Sequence, residues 1–405
     1  MTTHTLPRST AHPGSTLPES TSPALTALMP ITSRPPRAML RGEGSYLFDT
    51  DGRAYLDLVQ GWAVNTLGHC PVEIREALAE QSARLINPSP ALHNAPQLAL
   101  AEHLTAASGL AQAHFANSGA EANEAAVKLA RKWGQLHRSG AFEIVTTQNA
   151  FHGRTLAMMS ASGKPGWDRM FPPMPEGFVK VPFGDLEAMA AAIGPRTVAL
   201  MVEPIQGEAG VITPPDGYLR GLRELADRHG LLLILDEIQT GIGRTGRLFC
   251  FEHEQARPDI LTLAKGLGGG VPISAMLAAE HACCFAHGDQ GGTFNGNPLM
   301  AAVALAVLGV VNQPAFLKRV QAAGEQLCAG LAALPGRCGI ESVRGRGLLL
   351  AAGLARADAE AIRDRAFEAG LVINAPRPDT LRFMPSLRIS DAEIDEALAI
   401  LADVM

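Results

Sequence analysis

The chain has 405 residues, of which 47% are hydrophobic and 18% are charged, enough apolar content for a large buried core divided between two domains. Its formal net charge of −6 provides no general basic field, which argues against nucleic acid as a partner. The sequence contains no uncharged apolar run of about 18 residues or more, so no membrane span and no membrane partner are predicted.

The first 28 residues are rich in Thr, Ser and Pro and lack the apolar block of a secretory signal, which predicts a disordered tail. The six cysteines form no CxxC pair. A chain of this length does not need disulfides for stability, so we expect reduced thiols and a cytoplasmic location. The twelve histidines show no HxxxH spacing, and no metal site is predicted.

The predicted elements after this tail begin with a hairpin. Residues 44–58 alternate apolar and polar side chains around Asp51 and Gly52, which is typical of antiparallel strands joined by a tight turn. Strand and helix patterns then alternate, with helices predicted at 121–133 and 218–229 and strands at 143–147, 197–202 and 231–235. This alternation predicts a mostly parallel sheet with helices on both faces.

The pattern changes near Pro314, after which strands are predicted at 347–352 and 381–384. The predicted fold class is α/β, with a large domain built on the mostly parallel sheet and a smaller α+β domain. The expected divisions are the tail 1–28, an N-terminal segment 29–70 that packs with the small domain, a large domain 71–312 and a small domain 313–405.

Lys265 is the first candidate for chemistry. The chain has six lysines, and this one lies where the apolar stretch 260–264 opens into glycines. Burial there would lower the lysine pKa, and the neutral amine is the form that makes imines. The glycines would let the backbone approach a bound ring or phosphate. Taken alone, the pattern also fits a structural lysine at the end of a strand.

Asp236 follows the apolar run 231–235, at the carboxyl end of a predicted strand, where open α/β sheets bind ligands. A carboxylate there can keep a pyridine nitrogen protonated, although a turn or helix-capping aspartate fits the same position. Lys265 follows 29 positions later, at the next predicted strand end. The two side chains are therefore expected to face one crevice.

The segment 117–124 opens a predicted helix with small residues, Asn-Ser-Gly-Ala-Glu-Ala-Asn-Glu. The free N–H groups and the positive end of the helix dipole at such a start suit a phosphate. The same residues also fit an ordinary capping box, with Ser118 as the cap and Glu121 three residues later.

In combination, these segments resemble the class III aminotransferases, which are fold type I enzymes that use pyridoxal 5′-phosphate (PLP). The resemblance runs from about Gly44 to the C-terminus, and its motifs occur in the order of the family. They are Asn117-Ser-Gly-Ala-Glu-Ala-Asn, Phe151-His-Gly-Arg-Thr, Glu203-Pro-Ile-Gln-Gly-Glu-Ala-Gly, Asp236-Glu-Ile-Gln-Thr-Gly, Lys265-Gly-Leu-Gly-Gly-Gly, Thr293-Phe-Asn-Gly-Asn-Pro-Leu and Leu381-Arg-Phe-Met-Pro-Ser.

The resemblance implies how the phosphate and one face of the PLP ring are held. The backbone N–H groups of Ser118, Gly119 and Ala120 would bind the phosphate, and Phe151 would stack on the pyridine ring. Thr293 would reach the phosphate from the neighbouring subunit. The family likeness therefore implies a homodimer with active sites shared across the interface.

The resemblance also assigns the chemistry of the ring. Asp236 would pair with the ring nitrogen, and Gln239 would reach the phenolic oxygen. Lys265 would hold the cofactor as a Schiff base and then move the proton during the reaction, so Lys265 and Asp236 are the implied catalytic residues.

Three charged residues are implied at the substrate. Arg154 and Arg382 would each bind a carboxylate, which a planar guanidinium does with two hydrogen bonds. Glu208 would pair with Arg382 while the amino donor is bound and move aside for the α-carboxylate of glutamate or 2-oxoglutarate. An ordinary structural ion pair is the alternative for Glu208 and Arg382.

Within the class, residues 60–69 and 87–91 are most similar to the acetylornithine aminotransferases of arginine biosynthesis. The implied reaction moves the terminal amino group of N2-acetylornithine to 2-oxoglutarate, giving N-acetylglutamate 5-semialdehyde and glutamate. Where many relatives have a hydroxyl residue before the threonine, this chain has Gly291 and Gly292. This departure keeps N-succinylornithine, ornithine, 4-aminobutyrate and N-succinyl-diaminopimelate aminotransferases open as alternatives.

Two remoter alternatives share the fold, a PLP aminomutase and a non-catalytic PLP-fold regulator. The complete set of Arg154, Glu208 and Arg382 favours an enzyme that accepts glutamate over an aminomutase. A regulator of this fold usually lacks the lysine or the aspartate, whereas Lys265 and Asp236 are both present.

Overall fold

A computed structural model describes residues 27–35, 37–334 and 336–405. The predicted tail, residues 1–28, lies outside the described residues except for Ala27 and Leu28. The described part of the chain contains one sheet of seven strands and two sheets of four. No single helix in these ranges has the length and apolar composition of a membrane span. Only the helix pair Pro298–Val311 and Pro314–Ala333, taken together, has that length and composition, and the two helices are bent by 73° relative to each other.

The described strands and helices have the following bounds. The strands are β1 (Met39–Glu43), β2 (Tyr46–Asp49), β3 (Ala54–Asp57), β4 (Gln112–Ala116), β5 (Glu143–Thr147), β6 (Phe178–Val181), β7 (Thr197–Val202), β8 (Leu232–Asp236), β9 (Ile260–Leu263), β10 (Ser274–Ala278), β11 (Ile340–Arg346), β12 (Leu349–Leu354), β13 (Leu371–Val372), β14 (Asn374–Arg377) and β15 (Thr380–Phe383). The helices are α1 (Gln60–Ala63), α2 (Val72–Ser82), α3 (Ala95–Ser108), α4 (Gly119–His137), α5 (Leu156–Ala161), α6 (Leu186–Ala191), α7 (Tyr218–His229), α8 (Pro298–Val311), α9 (Pro314–Ala333), α10 (Ala359–Glu368) and α11 (Asp391–Val404).

The seven-stranded sheet has the order β4-β10-β9-β8-β7-β5-β6. The neighbouring pairs from β9 to β6 are parallel, whereas β10 runs antiparallel to both of its neighbours. The predicted mostly parallel sheet is therefore confirmed. Because β8 and β9 are parallel, they end at the same edge, where Asp236 lies opposite Thr262.

Apolar side chains cover both faces of this sheet, because successive residues of a strand point in opposite directions. Leu233 and Leu235 of β8 pack in one cluster with Leu222 of α7. Leu232 and Ile234 pack in a second cluster with the buried face of α4. All five side chains of β8 are buried, and the predicted helices on both faces are confirmed.

The predicted elements agree with the structure to within a few residues. The strands predicted at 143–147 and 197–202 are β5 and β7, and the helix predicted at 218–229 is α7. The helix predicted at 121–133 is the middle of the longer α4, and the predicted hairpin is β2 paired antiparallel with β3. The strand predicted at 231–235 is shifted by one residue, so Asp236 is its last residue rather than the residue after it.

The C-terminal part of the chain builds a four-stranded antiparallel sheet in the order β11-β12-β15-β14. Helix α9 packs on this sheet, and α11 packs on α9. The N-terminal hairpin joins it through a third sheet, in which β3 pairs in parallel with β13 and Leu56 lies opposite Leu371. The division of the chain at 29–70, 71–312 and 313–405 stays a prediction.

Helix α1 is a left-handed turn that the sequence did not predict. All four of its residues have positive φ, including Gln60 at 48° and Trp62 at 65°. Left-handed backbone costs about 1–2 kcal/mol per non-glycine residue, so the turn needs support from its surroundings. Asp57 Oδ1 accepts hydrogen bonds from the N–H groups of Val59 and Gln60 at 2.8 and 2.9 Å. The turn places Val64 in the wall of the cavity described next.

Candidate active site at the carboxyl edge of the large sheet

A cavity of about 440 Å³ opens at the carboxyl edge of the seven-stranded sheet. Its walls come from loops after β4, β5, β7, β8 and β9, because the carboxyl ends of these strands meet at this edge. Eight of the residues predicted from the sequence line the cavity: Ser118, Gly119, Ala120, Phe151, Glu208, Asp236, Gln239 and Lys265.

The N-terminus of α4 faces this cavity. Ser118 is the helix cap, and its side chain accepts a hydrogen bond from the N–H of Glu121 at 3.3 Å. Gly119 and Ala120 occupy the first turn, where N–H groups have no acceptor in a preceding helical turn. A Cβ on Gly119 would lie 2.8 Å from Cδ1 of Ile238, so a larger residue there would have to displace the Ile238 side chain. Ser118 therefore caps α4, and the N–H groups of the first turn still remain available to a ligand.

Three side-chain and backbone groups converge on Asp236. Its Oδ2 lies 2.7 Å from Nδ1 of His152 and accepts a hydrogen bond from Nδ2 of Asn123 at 2.8 Å. Its Oδ1 accepts from the N–H of Ile238 at 3.1 Å. Burial lowers the pKa of His152, but the hydrogen bond and charge of Asp236, with the charge of Glu203, outweigh it and raise that pKa overall. The carboxylate is thus fixed at the floor of the cavity.

Lys265 begins the first turn after β9 and has a positive φ of 36°. Burial lowers the pKa of its amine below the ordinary value, and the positive charge of Arg382 acts in the same direction. The carboxylates of Glu208, Glu203 and Asp236 oppose this shift without cancelling it. Among the described residues, no carboxylate lies within 4.0 Å of its amine. The side chain is therefore half-buried at the cavity without a close counter-charge, which favours its neutral, nucleophilic form.

Gln239 presents an amide that the protein leaves unsatisfied. Both its Oε1 and its Nε2 are buried, and neither has a hydrogen-bond partner among the described residues. Gly207 makes room for this side chain, because a Cβ at residue 207 would come within 1.6 Å of Oε1 of Gln239. A buried amide without partners is costly in a protein interior, so a bound polar group is needed to satisfy it.

Glu208 and Arg382 form an ion pair of 2.8 Å between Oε1 and Nη1. Arg382 belongs to β15 and is fully buried, and its Nε donates to Oδ1 of Asn374 at 2.9 Å. Its Nη2 has no partner among the described residues. Burial raises the pKa of Glu208, but the charges of Arg382, Lys265 and Lys164 lower it overall. The pair therefore joins the C-terminal sheet to the cavity wall through opposite charges.

Two further cations lie at the mouth of the cavity, beyond the side chain of Phe151. The guanidinium of Arg154 is exposed and lies 6.0 Å from the ring centroid of Phe151 and 5.3 Å from that of Trp167. The amine of Lys164 lies 5.1 and 5.4 Å from the same two centroids. It also lies 4.0 Å from Oε2 of Glu208. Arg154 thus borders the cavity without lining it.

Thr293 is exposed and lies outside the set of cavity-lining residues. Its carbonyl oxygen accepts a hydrogen bond from Nδ2 of Asn87 at 3.3 Å. Two residues later, Oδ1 of Asn295 accepts from Nδ2 of Asn117 at 3.0 Å. The threonine loop is therefore anchored near the start of α4, while the threonine side chain is open to the outside of the chain.

With this geometry in view, the sequence comparisons identify the family. Residues 30–405 match the profile of the family described as "Aminotransferase class-III". The chain belongs to the class-III aminotransferases. The family is PLP-dependent, and the predicted family, fold class and transaminase activity are confirmed.

Named relatives of this class-III aminotransferase cover nearly its whole length. Acetylornithine aminotransferase 2 of Bordetella bronchiseptica is 55% identical and covers 92% of this chain and 95% of its own. Acetylornithine aminotransferase of Ralstonia nicotianae is 49% identical, over 94% and 97% of the two chains.

Two solved structures similar to this class-III aminotransferase are named for different activities. The N-acetylornithine aminotransferase of Stenotrophomonas maltophilia has a TM-score of 0.82 and 37% identity, over 94% and 97% of the two chains. The ornithine aminotransferase of Toxoplasma gondii has a TM-score of 0.90 and 32% identity, over 94% and 93%.

Sequence reasoning missed four residues of this aminotransferase site. Asn123 and His152 fix Asp236, and both lie inside the motifs that carried the family resemblance. Glu203 accepts a hydrogen bond from the N–H of Phe151 at 2.9 Å, and burial raises its pKa to about 7. Lys164 lies in a loop without a motif, and only the folded structure brings it to Glu208.

Proposed function

We propose that this chain transfers the terminal amino group of N2-acetylornithine to 2-oxoglutarate and releases N-acetylglutamate 5-semialdehyde and glutamate, a step of arginine biosynthesis. The observation that carries the proposal is the 2.8 Å ion pair of Glu208 and Arg382 beside the cavity that contains Lys265. The amino donor has no carboxylate at its reacting carbon, whereas the acceptor has its α-carboxylate there. If the ion pair of Glu208 and Arg382 can open, one site can serve both substrates.

The comparisons support this choice of donor. The sequence relatives named for acetylornithine share more identity with this chain than the structures named for ornithine do. Ornithine carries a free α-amine next to its carboxylate, whereas the acyl group of acetylornithine removes that positive charge. Donor choice therefore depends on the charged residues at the mouth of the cavity.

The residues around the cavity fit PLP. The unsatisfied amide of Gln239 can bond the phenolic oxygen, and the first-turn N–H groups of α4 can bond the phosphate. Lys265, which lines the cavity, offers an amine of lowered pKa for a covalent attachment. When bound, PLP supplies an electron-withdrawing ring that stabilises negative charge at the carbon bearing the amino group.

The proposed roles at the phosphate and the ring face follow the family. The N–H groups of Ser118, Gly119 and Ala120 hold the phosphate at the positive end of the α4 dipole. The Phe151 side chain, which lines the cavity, would lie against one face of the ring. Asp236, which His152 and Asn123 hold in place, keeps the ring nitrogen protonated.

Lys265 moves the proton in both half-reactions. Its neutral amine would take the proton from the substrate carbon that bears the amino group and deliver it to the cofactor carbon that receives that amino group. Lowering the pKa of this lysine enlarges the neutral fraction of the amine, and the neutral amine is the form that acts as a general base. The desolvated setting that lowers this pKa also keeps water away from the reacting carbon.

Glu208 and Arg382 select between the two substrates. With the donor bound, Glu208 remains on Arg382 and neutralises it. With glutamate or 2-oxoglutarate bound, Glu208 turns away and Arg382 binds the α-carboxylate with two hydrogen bonds. The unpartnered Nη2 of Arg382 is available for the second of these bonds. Arg154 binds the far carboxylate of either substrate.

A second copy of the chain completes the proposed site. Thr293 is exposed in one chain, outside its own cavity, and the proposal places it on the phosphate bound to the partner. The surrounding surface is apolar, with Ile86 at 55% and Phe294 at 62% exposure. Asn87 links the segments of these two residues through its bond to Thr293. Covering such a patch with a second copy is favourable because it removes apolar area from water.

We place the enzyme in the cytoplasm. The cysteines of the described residues are all free thiols, which suits a reducing compartment. The proposed substrates are small, charged and water-soluble, so the reaction needs neither a nucleic acid nor a membrane partner.

A comparison of donors tests the proposal. The values of kcat/KM with 2-oxoglutarate are measured for N2-acetylornithine, N-succinylornithine, ornithine, 4-aminobutyrate and N-succinyl-diaminopimelate. We expect acetylornithine to exceed the unacylated donors by at least about tenfold, the discrimination of one well-placed polar contact. A higher value for ornithine or 4-aminobutyrate would overturn the proposed donor while leaving the aminotransferase class intact.

A further inference from the structure

The carboxylate of Glu208 lies between two cations that approach different oxygens. Its Oε1 lies 2.8 Å from Nη1 of Arg382, and its Oε2 lies 4.0 Å from Nζ of Lys164. The side chains of Arg382, Glu208 and Lys164 are 0%, 19% and 29% exposed. A charged row therefore runs from the buried sheet of Arg382 to the open mouth of the cavity.

The proposed exchange of substrates requires Glu208 to leave Arg382. A carboxylate that loses its partner inside a protein is strongly destabilised, because the protein solvates the charge less well than water does. Glu208 therefore needs another cation or the solvent when it has turned away. Among the described residues, Lys164 is the one other cation within 4.0 Å of it.

The surroundings of Lys164 keep its amine on the side of Glu208. The loop between α5 and Trp167 carries it across the rings of Phe151 and Trp167. Arg154 lies over the same two rings and repels Lys164 from that side by its like charge. Burial lowers the pKa of Lys164, and the negative charge of Glu208 opposes that fall.

We propose that Lys164 is a positioning residue that holds Glu208 when this carboxylate has turned away from Arg382. The inference rests on the proposed exchange at Arg382. Lys164 stabilises the open arrangement, in which Arg382 is free for the α-carboxylate of glutamate or 2-oxoglutarate. It contributes less to the closed arrangement used by the amino donor, because Glu208 is then paired with Arg382 at 2.8 Å and lies 4.0 Å from Lys164.

The test uses Lys164→Met, which removes the charge and keeps the length of the side chain. The two half-reactions are followed separately on the PLP-loaded enzyme by single-turnover absorbance, one with glutamate and one with acetylornithine. We expect the concentration of glutamate for half-maximal rate to rise about tenfold, as for the loss of one partly buried charge contact. The acetylornithine half-reaction should change by less than about twofold.

Two further variants separate a charge effect from a structural one. Lys164→Arg retains the positive charge and should recover most of the glutamate half-reaction. Lys180→Met is the matched control, since Lys180 is a lysine of lowered pKa on β6 that does not line the cavity, and it should leave both half-reactions unchanged. If Lys164→Met folds poorly, Lys164→Gln serves the same purpose.

A Glu208→Gln background distinguishes failure of this inference from failure of the proposed exchange. If Glu208→Gln shifts the two half-reactions unequally, the exchange stands, and adding Lys164→Met to it should then have little further effect. Equal weakening of both half-reactions by Lys164→Met alone would overturn the inference, since it would mean that Lys164 binds the substrates directly. An unchanged glutamate half-reaction would also overturn it. If Glu208→Gln affects the two halves alike, the exchange itself is wrong.

Discussion

The two ends of the cavity are built in different ways. At the inner end, Asp236 receives three contacts from fixed neighbours, and Lys265 emerges from the end of a buried strand. At the outer end, Glu208 and Lys164 are long side chains of opposite charge, and Arg154 lies over the rings of Phe151 and Trp167. The inner end is held by the backbone and short hydrogen bonds, whereas the outer end can rearrange by side-chain rotation alone.

We infer that the inner end carries out the proton transfer and that the outer end selects the substrate. Proton movement requires groups fixed to within a fraction of an ångström, which the strand ends of a parallel sheet supply. Acceptance of two unlike substrates in turn requires a charge that can be exposed and covered, which a buried arginine with a movable carboxylate partner supplies. Substitutions at the inner end should therefore damage both half-reactions, and substitutions at the outer end should damage them unequally.

The largest effect is expected for Lys265→Ala. Loss of the proton-moving amine should lower kcat by at least about a thousandfold, within the range that general acid–base catalysis contributes. Circular dichroism should show an unchanged fold, because the Lys265 side chain forms no ion pair with the described residues that the fold would lose. Retention of more than a few per cent of wild-type kcat would contradict the placement of the chemistry at the inner end.

Within the inner end, substitution of Asp236 should lower the rate more than substitution of Gln239. Asp236→Ala should lower single-turnover rates by about 100-fold or more with both substrates, because it removes the charge that stabilises the electron-poor ring. Gln239→Ala should cost about tenfold, since a neutral amide only adjusts the same ring. Equal and small losses for the two variants would tell against the proposed role of Asp236.

The outer end should respond unequally to the two substrates. Arg382→Ala should slow the glutamate half-reaction by about 100-fold, the effect of losing a buried bidentate charge contact. The acetylornithine half-reaction should fall by no more than about tenfold, because the arginine is then covered by Glu208. Proportional losses in the two single-turnover assays would mean that Glu208 and Arg382 are only a structural ion pair.

The smallest expected change in activity is a partial recovery when two inactive variants form mixed dimers. It tests whether a second chain contributes Thr293 to the inner end. Lys265→Ala and Thr293→Asp homodimers should each be inactive, the latter through repulsion of the phosphate. When the two are unfolded and refolded together in equal amounts, half the dimers are mixed and one site in each is intact. Activity per subunit should return to about a quarter of wild type. Inactive mixed dimers, verified by a tag on each chain, would place Thr293 on its own site.

The sequence predicted the inner end better than the outer end. The apolar run before Asp236 and the glycines after Lys265 are local patterns, and a buried parallel strand forces both residues to one edge. The small residues at 117–124 likewise indicated a helix start that suits a phosphate, and the family resemblance then brought in Gln239. His152 and Asn123 were missed because their contacts to Asp236 span 84 and 113 positions in the chain, and no local period reveals such pairs.

At the outer end, the resemblance supplied Glu208 and Arg382, but it could not supply their surroundings. Lys164 occupies an irregular loop, and its position depends on how that loop crosses Phe151 and Trp167. The left-handed turn at Gln60–Ala63 was equally beyond reach, because non-glycine residues with positive φ are held by tertiary contacts rather than by their own preference.

The identity of the cofactor-bearing residue tests the account most directly. The purified enzyme is loaded with PLP, reduced with borohydride and digested, and the peptides are sequenced by mass spectrometry. We predict that the mass of the reduced cofactor lies on Lys265 and that addition of glutamate before reduction removes it from the protein. The adduct on any other lysine, with Lys265 unmodified, would contradict the account.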